Sequence, residues 1–423
     1  MYTVGLGEVK PKGEGSMSVF RKTLAGTALT LLLAAPLHAQ TTAQPLQQTE
    51  SDGYTRYELL GPGSHKFRIV YEITASTPGA TAYYNPIRQG SVATDERVND
   101  RATGKPLKFE VVPGDVAKAG GVRGASPDGS YIRVELARPV PADGGEGRVL
   151  IDKTYEDAKS YYQEGDLIVF DRPLGVKRNA VVLPAGYELV SCNYPAQVLQ
   201  EADGRIKIAF WNNTPAQAPL VIKALPSPNL KPAVSSLAKA LDERAYQNRE
   251  IMYFLQPPET HSFDLYHDYT ETRPGVGVYV NVVRAGSAAS KPSARDLDTG
   301  AALKWEMLKG NDILKAAPDQ KGVTPETEAI VFHFDPVKAG QSARLRFSET
   351  YTDAERYKLV GDELVWRRAF GRPLNTVVLP AGWVLTNSSV PATVKTQADG
   401  RVQLEFINPR TDEIDTIITA RRR

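Results

Sequence analysis

The chain is written twice. From Tyr57, and again from Tyr253, one succession of apolar, turn and polar residues recurs at an offset of 196, the separation of His65 and His261. PGSHKFRIVYEITASTPG is answered by PPETHSFDLYHDYTETRPG, and Tyr83, Asn85, Arg88, Gly90 and Ser91 fall on Tyr279, Asn281, Arg284, Gly286 and Ser287. The register slips by two near Ile132 and Ile330, then returns at Arg148 and Arg344; VVLPAG begins at Val181 and Val377, and ADGR at Ala202 and Ala398. Self-similarity of this kind means one folding unit duplicated in tandem, so an account of one copy applies to the other.

Within each copy the texture is short runs of Val, Ile, Tyr, Phe and Thr punctuated by Gly, Pro, Asn and Asp, the pattern of an all-β unit. Strands are expected near 57–60, 65–74, 81–84, 107–112, 132–136, 148–155, 167–170, 180–183, 187–190, 205–211 and 220–224, with their counterparts in the second copy. The expected fold is two tandem β-sandwich domains, residues 55–225 and 249–423, since many short strands with one apolar face suit a sandwich. Residues 226–248 form the linker, where Val234, Leu237, Ala238, Leu241 and Ala245 fall at helical spacing and predict a short helix packed on a sandwich edge.

Arg21-Lys22, the apolar stretch Leu24–Ala35 and Leu37-His38-Ala39 have the layout of a secretory signal peptide covering residues 1–39, with Met17 as an alternative start. The apolar run is too short to span a bilayer. Residues 40–54, rich in Thr, Gln and Ser, read as a flexible leader. Setting residues 1–39 aside removes four basic residues (Lys10, Lys12, Arg21, Lys22) and two acidic ones (Glu8, Glu14), taking the formal net charge from +2 to zero. A neutral surface gives no reason to expect a nucleic-acid partner or an anionic membrane. Cys192 is the single cysteine, so no intrachain disulfide forms. A periplasmic or secreted product without a transmembrane segment is the expectation.

Strong catalytic and metal signatures are missing: there is no His-Glu-x-x-His, Cys-x-x-Cys, Gly-x-Ser-x-Gly or P-loop. His261 and His267 lie about 20 Å apart on one strand at roughly 3.3 Å per residue, too far to share an ion. His267, in phase with apolar residues, reads as a core histidine, and His65 and His261 as strand-edge hydrogen-bonding groups. His333 is expected to face solvent. Asp298-Thr299-Gly300 reads as a hairpin turn, because its counterpart is Ala102-Thr103-Gly104 and a two-carboxylate site needs a second acid. Ser236-Leu237-Ala238-Lys239 matches Ser-x-x-Lys without its companion motifs.

What recurs in both copies is a polar and aromatic set: Tyr155, Asp157, Tyr161, Arg172 and Asn179 against Tyr351, Asp353, Tyr357, Arg368 and Asn375, with Asp166 and Asp362 nearby. Tyrosine rings beside a carboxylate, an Arg and an Asn suit a sugar- or peptide-binding surface, where rings stack and polar groups orient. The same residues suit a well-made β-turn.

The order HKFRIVYEIT, TGKPLKFEVV and YIRVELARPVPADGGEGRVLIDKTYED resembles the non-catalytic N-terminal β-domain of M1-type aminopeptidases over roughly Phe67 to Asp157 of each copy. The catalytic His-Glu-x-x-His domain has no counterpart, so the resemblance implies a fold and no peptidase activity. As a whole the chain resembles bacterial secreted tandem-repeat β proteins. The expected function is a non-catalytic binding or scaffold protein of the envelope, without cofactor or metal, whose partner is a glycan, peptide or protein. The alternatives are a hydrolase using Asp157 and Asp166 as acid and base, and a structural accessory subunit.

Overall fold

Strand alternation is the physical basis of the architecture. In the computed structural model, which describes residues 46–227 and 241–423, Lys66–Ala75 buries Phe67, Ile69, Tyr71 and Ile73 on one face while Lys66 and Arg68 stay exposed. Its counterpart Ser262–Glu271 buries Phe263, Leu265, His267 and Tyr269. Each is a long central strand with one face turned to the core.

The first copy builds a seven-stranded sheet in the order Gln197–Gln200, Ile206–Trp211, Arg178–Val182, Glu50–Leu59, Lys66–Ala75, Gly147–Glu156, Val92–Asp100. The second repeats that order with Thr393–Thr396, Val402–Ile407, Leu374–Val378, Arg249–Leu255, Ser262–Glu271, Ala343–Thr352, Ala288–Asp296. Each copy adds a four-stranded sheet, centred on Ala218–Pro226 with Leu167–Leu174 and on Ile414–Arg422 with Glu363–Phe370. A three-stranded sheet completes each, with Ser130–Glu135 and Glu328–His333 in the middle. The molecule is all-β in several separate sheets with no closed barrel among the described residues. One core draws on all three sheets of a copy: Phe67 from the large sheet, Phe170 from the four-stranded sheet and Ile132 from the three-stranded sheet belong to a single buried cluster.

The repeated VVLPAG motif has a direct explanation. Arg178–Val182 and Leu374–Val378 are buried along their whole length and pair in parallel with the first strand of their copy, Tyr57 opposite Val181 and Tyr253 opposite Val377. A strand covered on both faces does not alternate, hence the unbroken Val-Val-Leu. Gly165-Asp166 and Gly361-Asp362 are two-residue hairpin turns in which the glycines take φ of 62° and 65°, a conformation that costs a residue with a Cβ.

Three expectations are modified. Residues 46–53 are tied into the fold: the first strand already begins at Glu50, and Gln48 Nε2 donates to the Tyr84 carbonyl at 3.0 Å. Most of the segment expected to form the linker helix, with Ser236 to Lys239, lies outside the described residues, as does the expected signal-peptide segment; Leu241 to Ala245, which are described, are not helical. Two short helices, Gly114–Ala119 and Asn311–Ala316, were not expected, because six residues hold too little periodicity to recognise.

The described residues belong to one compact unit, in which the two copies meet across a buried polar seam. Arg148 donates from Nε and Nη2 to both carboxylate oxygens of Asp298 at 2.7 and 2.6 Å, and from Nη1 to Ser342 Oγ at 3.0 Å. Its counterpart Arg344 donates from Nε to Glu146 Oε2 at 3.2 Å. Glu146 and Ser342 are themselves counterparts, and their amides bond to the Leu297 and Ala102 carbonyls at 2.7 and 3.0 Å. The same patch on each copy therefore faces the other, the arrangement of a two-fold dimer joined into one chain. No helix among the described residues is long and apolar enough to cross a membrane.

Candidate functional site

The ten duplicated residues expected to touch a ligand are all buried. Asp157 Oδ1 accepts the amides of Lys159 and Ser160, both at 3.1 Å, while Oδ2 accepts Ser160 Oγ at 2.7 Å, Ser91 Oγ at 3.1 Å and Arg172 Nη1 at 3.1 Å. Burial works against its ionisation, but the Ser160 and Ser91 hydroxyls and Arg172 outweigh burial and hold the carboxyl below its ordinary range. Asp353 repeats the turn with the Arg356 amide at 3.0 Å, Ser287 Oγ at 2.9 Å and Arg356 Nη1 at 3.1 Å. Such a carboxylate organises a turn and is poorly placed to shuttle protons, and Asp166 is exposed in its hairpin.

The remaining members are also engaged inside the fold. Tyr161 donates to the Leu60 carbonyl at 2.9 Å and Tyr357 to that of Gln256. Asn179 and Asn375 donate to the carbonyls of Val176 and Arg372 at 2.7 and 2.8 Å. Among the described residues Arg368 makes no ion pair with Asp353; its guanidinium lies over Tyr351, Phe263 and Tyr253 at 5.2 to 5.8 Å from the ring centroids. The histidines are structural too. His65 and His261, at φ of 57° and 53°, place Nδ1 against the Tyr161 and Tyr357 carbonyls at 2.9 and 2.8 Å. His333 is partly exposed and meets Glu306 at 2.8 Å. Asp298 sits in a turn, as its motif suggests, but its buried carboxylate also closes the seam between the copies.

Tyr155 and Arg172 nevertheless border a cleft of about 410 Å³ at the junction of the three sheets of the first copy. Its walls are Tyr57, Tyr71 and Tyr155 from the large sheet, Asn85 and Pro86 from the three-stranded sheet, and Arg172 to Leu174 from the four-stranded sheet. Pro86, Arg88, Pro173, Gly175 and Gln217 are exposed at its mouth.

The floor holds Lys153, 4 % exposed, whose Nζ donates to Asn85 Oδ1 at 2.7 Å and stands 4.9 Å from the Tyr155 ring centroid. Burial, then the field of Arg172, pushes this ammonium down to about 7. Thr55 Oγ1, which also lines the cleft, is buried without a hydrogen-bond partner among the described residues. Burial, then Arg172, also lowers the Arg88 guanidinium at the mouth. Among the described residues the cleft's ion pair is Arg172 with Asp157, while Glu96 and Asp157 favour the charged forms of Lys153 and Arg88 without pairing with them.

Lys153, Asn85, Arg88 and Thr55 were absent from the expected site. One signal was available: in Arg148–Tyr155, Lys153 stands in phase with Val149, Ile151 and Tyr155 on the apolar side of its strand. A lysine in a core phase needs a partner or a cavity.

No family model and no curated protein sequence matches the chain. Among solved structures it is similar to an M1 zinc metallopeptidase from Deinococcus radiodurans at 13% identity, covering 43% of this chain and 42% of that one with a TM-score of 0.28. It is similar to a candidate nutrient binding protein from Legionella pneumophila at 10% identity, covering 43% and 68% with a TM-score of 0.27. An aminopeptidase N family protein from Idiomarina loihiensis is 9% identical, covering 40% and 29% with a TM-score of 0.25. These likenesses span less than half of the chain and include the aminopeptidase family that its sequence pattern resembles.

Proposed function

We propose that this is a non-catalytic binding protein of the cell envelope, in which the first copy carries a ligand cleft and the second serves as its scaffold. One observation carries the reading: a polar floor of Lys153, Asn85 and Thr55 lies beneath an opening at the junction of three sheets, whereas the duplicated Tyr/Asp/Arg set is largely consumed in holding turns and core together. A concave site with aromatic walls and a few converging polar groups is the usual form of a small-molecule site. The basic residues and apolar run at Arg21–Ala35 support export.

Blocking the mouth tests this. Gly175 is exposed, and a Cβ built on it meets Gln217 Cγ at 3.5 Å, an ordinary contact. Gly175→Trp should therefore plug the cleft without disturbing the core. A chemically diverse fragment set, screened by thermal shift and ligand-observed NMR, should contain compounds that bind the native chain and not this variant. Fragments that bind both equally well would place recognition elsewhere.

A further inference from the structure

The positions that line the cleft recur in the second copy, and the two sets differ in charge. Offset by 196, Lys153 becomes Glu349, Tyr71 becomes His267, Thr55 becomes Ile251 and Val176 becomes Arg372, while Asn85, Arg88 and Arg172 persist as Asn281, Arg284 and Arg368. In the second copy Glu349, 4 % exposed, accepts the Asn281 amide at 2.6 Å and lies 3.6 Å from His267 Nε2. Burial first, and then the charges of Arg372 and Arg368, work against protonation of the same imidazole. Arg372 also donates to Tyr279 Oη at 2.8 Å. A carboxyl side chain thus stands in the second copy where the first has an amine.

The first copy keeps the arginines and the asparagine but has exchanged that carboxylate for an amine. Asn85 turns its amide oxygen to Lys153, where Asn281 turns its amide nitrogen to Glu349. The place of a carboxyl side chain in one copy is taken by a buried amine bordering an open cleft in the other. A buried amine with no ion pair among the described residues protonates at a cost, and a ligand that supplies the opposite charge recovers that cost.

Resting on the binding reading above, we infer that the first-copy cleft takes a small anion, a carboxylate or phosphate group on a flat apolar body. The charged group meets Lys153, Arg172 and Arg88, and the body lies among Tyr57, Tyr71 and Tyr155. The second copy already places a buried carboxyl group at this point of the framework, where Asn281 donates to it at 2.6 Å. The second copy binds no such ligand, because Glu349 and Arg372 occupy the corresponding place.

Isothermal titration with benzoate, phenyl phosphate, inorganic phosphate and the neutral benzyl alcohol tests the assignment and separates the two anion chemistries. Benzoate or phenyl phosphate should bind with one site per chain. Lys153→Glu, which installs the residue of the second copy, should weaken binding about thirtyfold or more, as expected when a buried charge partner is reversed. Lys153→Met should weaken it while melting cooperatively and no earlier than the native chain, which guards against loss of fold as the cause. Inorganic phosphate should bind more weakly than phenyl phosphate, since it leaves the tyrosine walls empty. Benzyl alcohol binding as tightly as benzoate, and blocked by Gly175→Trp, would overturn the anion assignment and leave the cleft a binding site. Two anion sites per chain would overturn the asymmetry between the copies. If none of the four probes binds and no fragment is sensitive to Gly175→Trp, the inference and the binding reading fall together.

Discussion

Lys153 shows how one residue can set both chemistry and stability. Its amine is pushed down to about 7 from an ordinary 10.5 by burial and then by Arg172, with Glu96 pulling the other way and Tyr155, Tyr71 and Asn85 around it. Between those pH values the unfolded chain holds the proton and the folded chain does not, so stability rises with pH across the window and the burden of Lys153 is greatest below it. Lys153→Met removes this titration. The variant should exceed the native chain in stability by about 1–4 kcal/mol at pH 6, less the cost of leaving Asn85 Oδ1 unpaired, and the advantage should fade towards pH 10. Urea denaturation at pH 6, 8 and 10 measures it, and an advantage unchanged across that range would show that the amine titrates normally. The equivalent carboxylate, Glu349, faces a His267 that burial pushes towards its neutral form. The two positions therefore share a place in the strand and little of their chemistry.

At the scale of elements, the repeated Tyr-x-Asp-Ala segments are turns whose carboxylates gather backbone amides and hydroxyls. Their wiring differs, and so should their sensitivity. Asp157 is the ion partner of Arg172, both side chains being 8 % exposed. Asp157→Ala leaves a buried guanidinium without its partner and should cost about 3–5 kcal/mol. Asp353 is paired instead with Arg356, which is 26 % exposed and can turn to water. Asp353→Ala should cost about 1–3 kcal/mol, the loss of its turn bonds. Equilibrium denaturation of the two single variants gives the comparison, and equal losses would refute the assigned role of Arg172. The tyrosines of these segments are core rings: Tyr351 is 2 % exposed and stacks on Phe263 with centroids 6.0 Å apart. Tyr351→Ala should cost about 3–5 kcal/mol through the cavity it leaves, read as a lowered melting temperature.

For the whole molecule the seam decides how the copies act together. Arg148 and Asp298 form a two-point ion pair with both side chains 4 % exposed, and the Arg344 to Glu146 bond lies across the same seam. Removing one member leaves the other charged and dry, a loss of about 3–5 kcal/mol. The native chain should unfold in one calorimetric transition, and Asp298→Ala should separate it into two. A double-mutant cycle with Arg148→Ala isolates the pair itself. Independent melting of the copies in the native chain would show that the seam does not couple them.

The sequence by itself determined the duplication, the all-β class and the central strands, because these rest on local periodicity and on repetition, both of which are read along the chain. His65 and His261 at strand edges, and His267 in the core, were legible for the same reason. Their neighbours in sequence define the face they occupy. Whether Tyr155 and Asp157 meet solvent or a packed interior could not be read this way, since turn-forming and ligand-binding residues are the same types. The partners of Asp298 were equally hidden: Arg148 lies 150 positions earlier, and no local pattern carries so distant a pairing. Only tertiary structure brought Asn85, Lys153 and Arg172, from three different sheets, to one cleft. Only packing made Lys153 a buried amine, because the cost of a charge depends on what surrounds it in space.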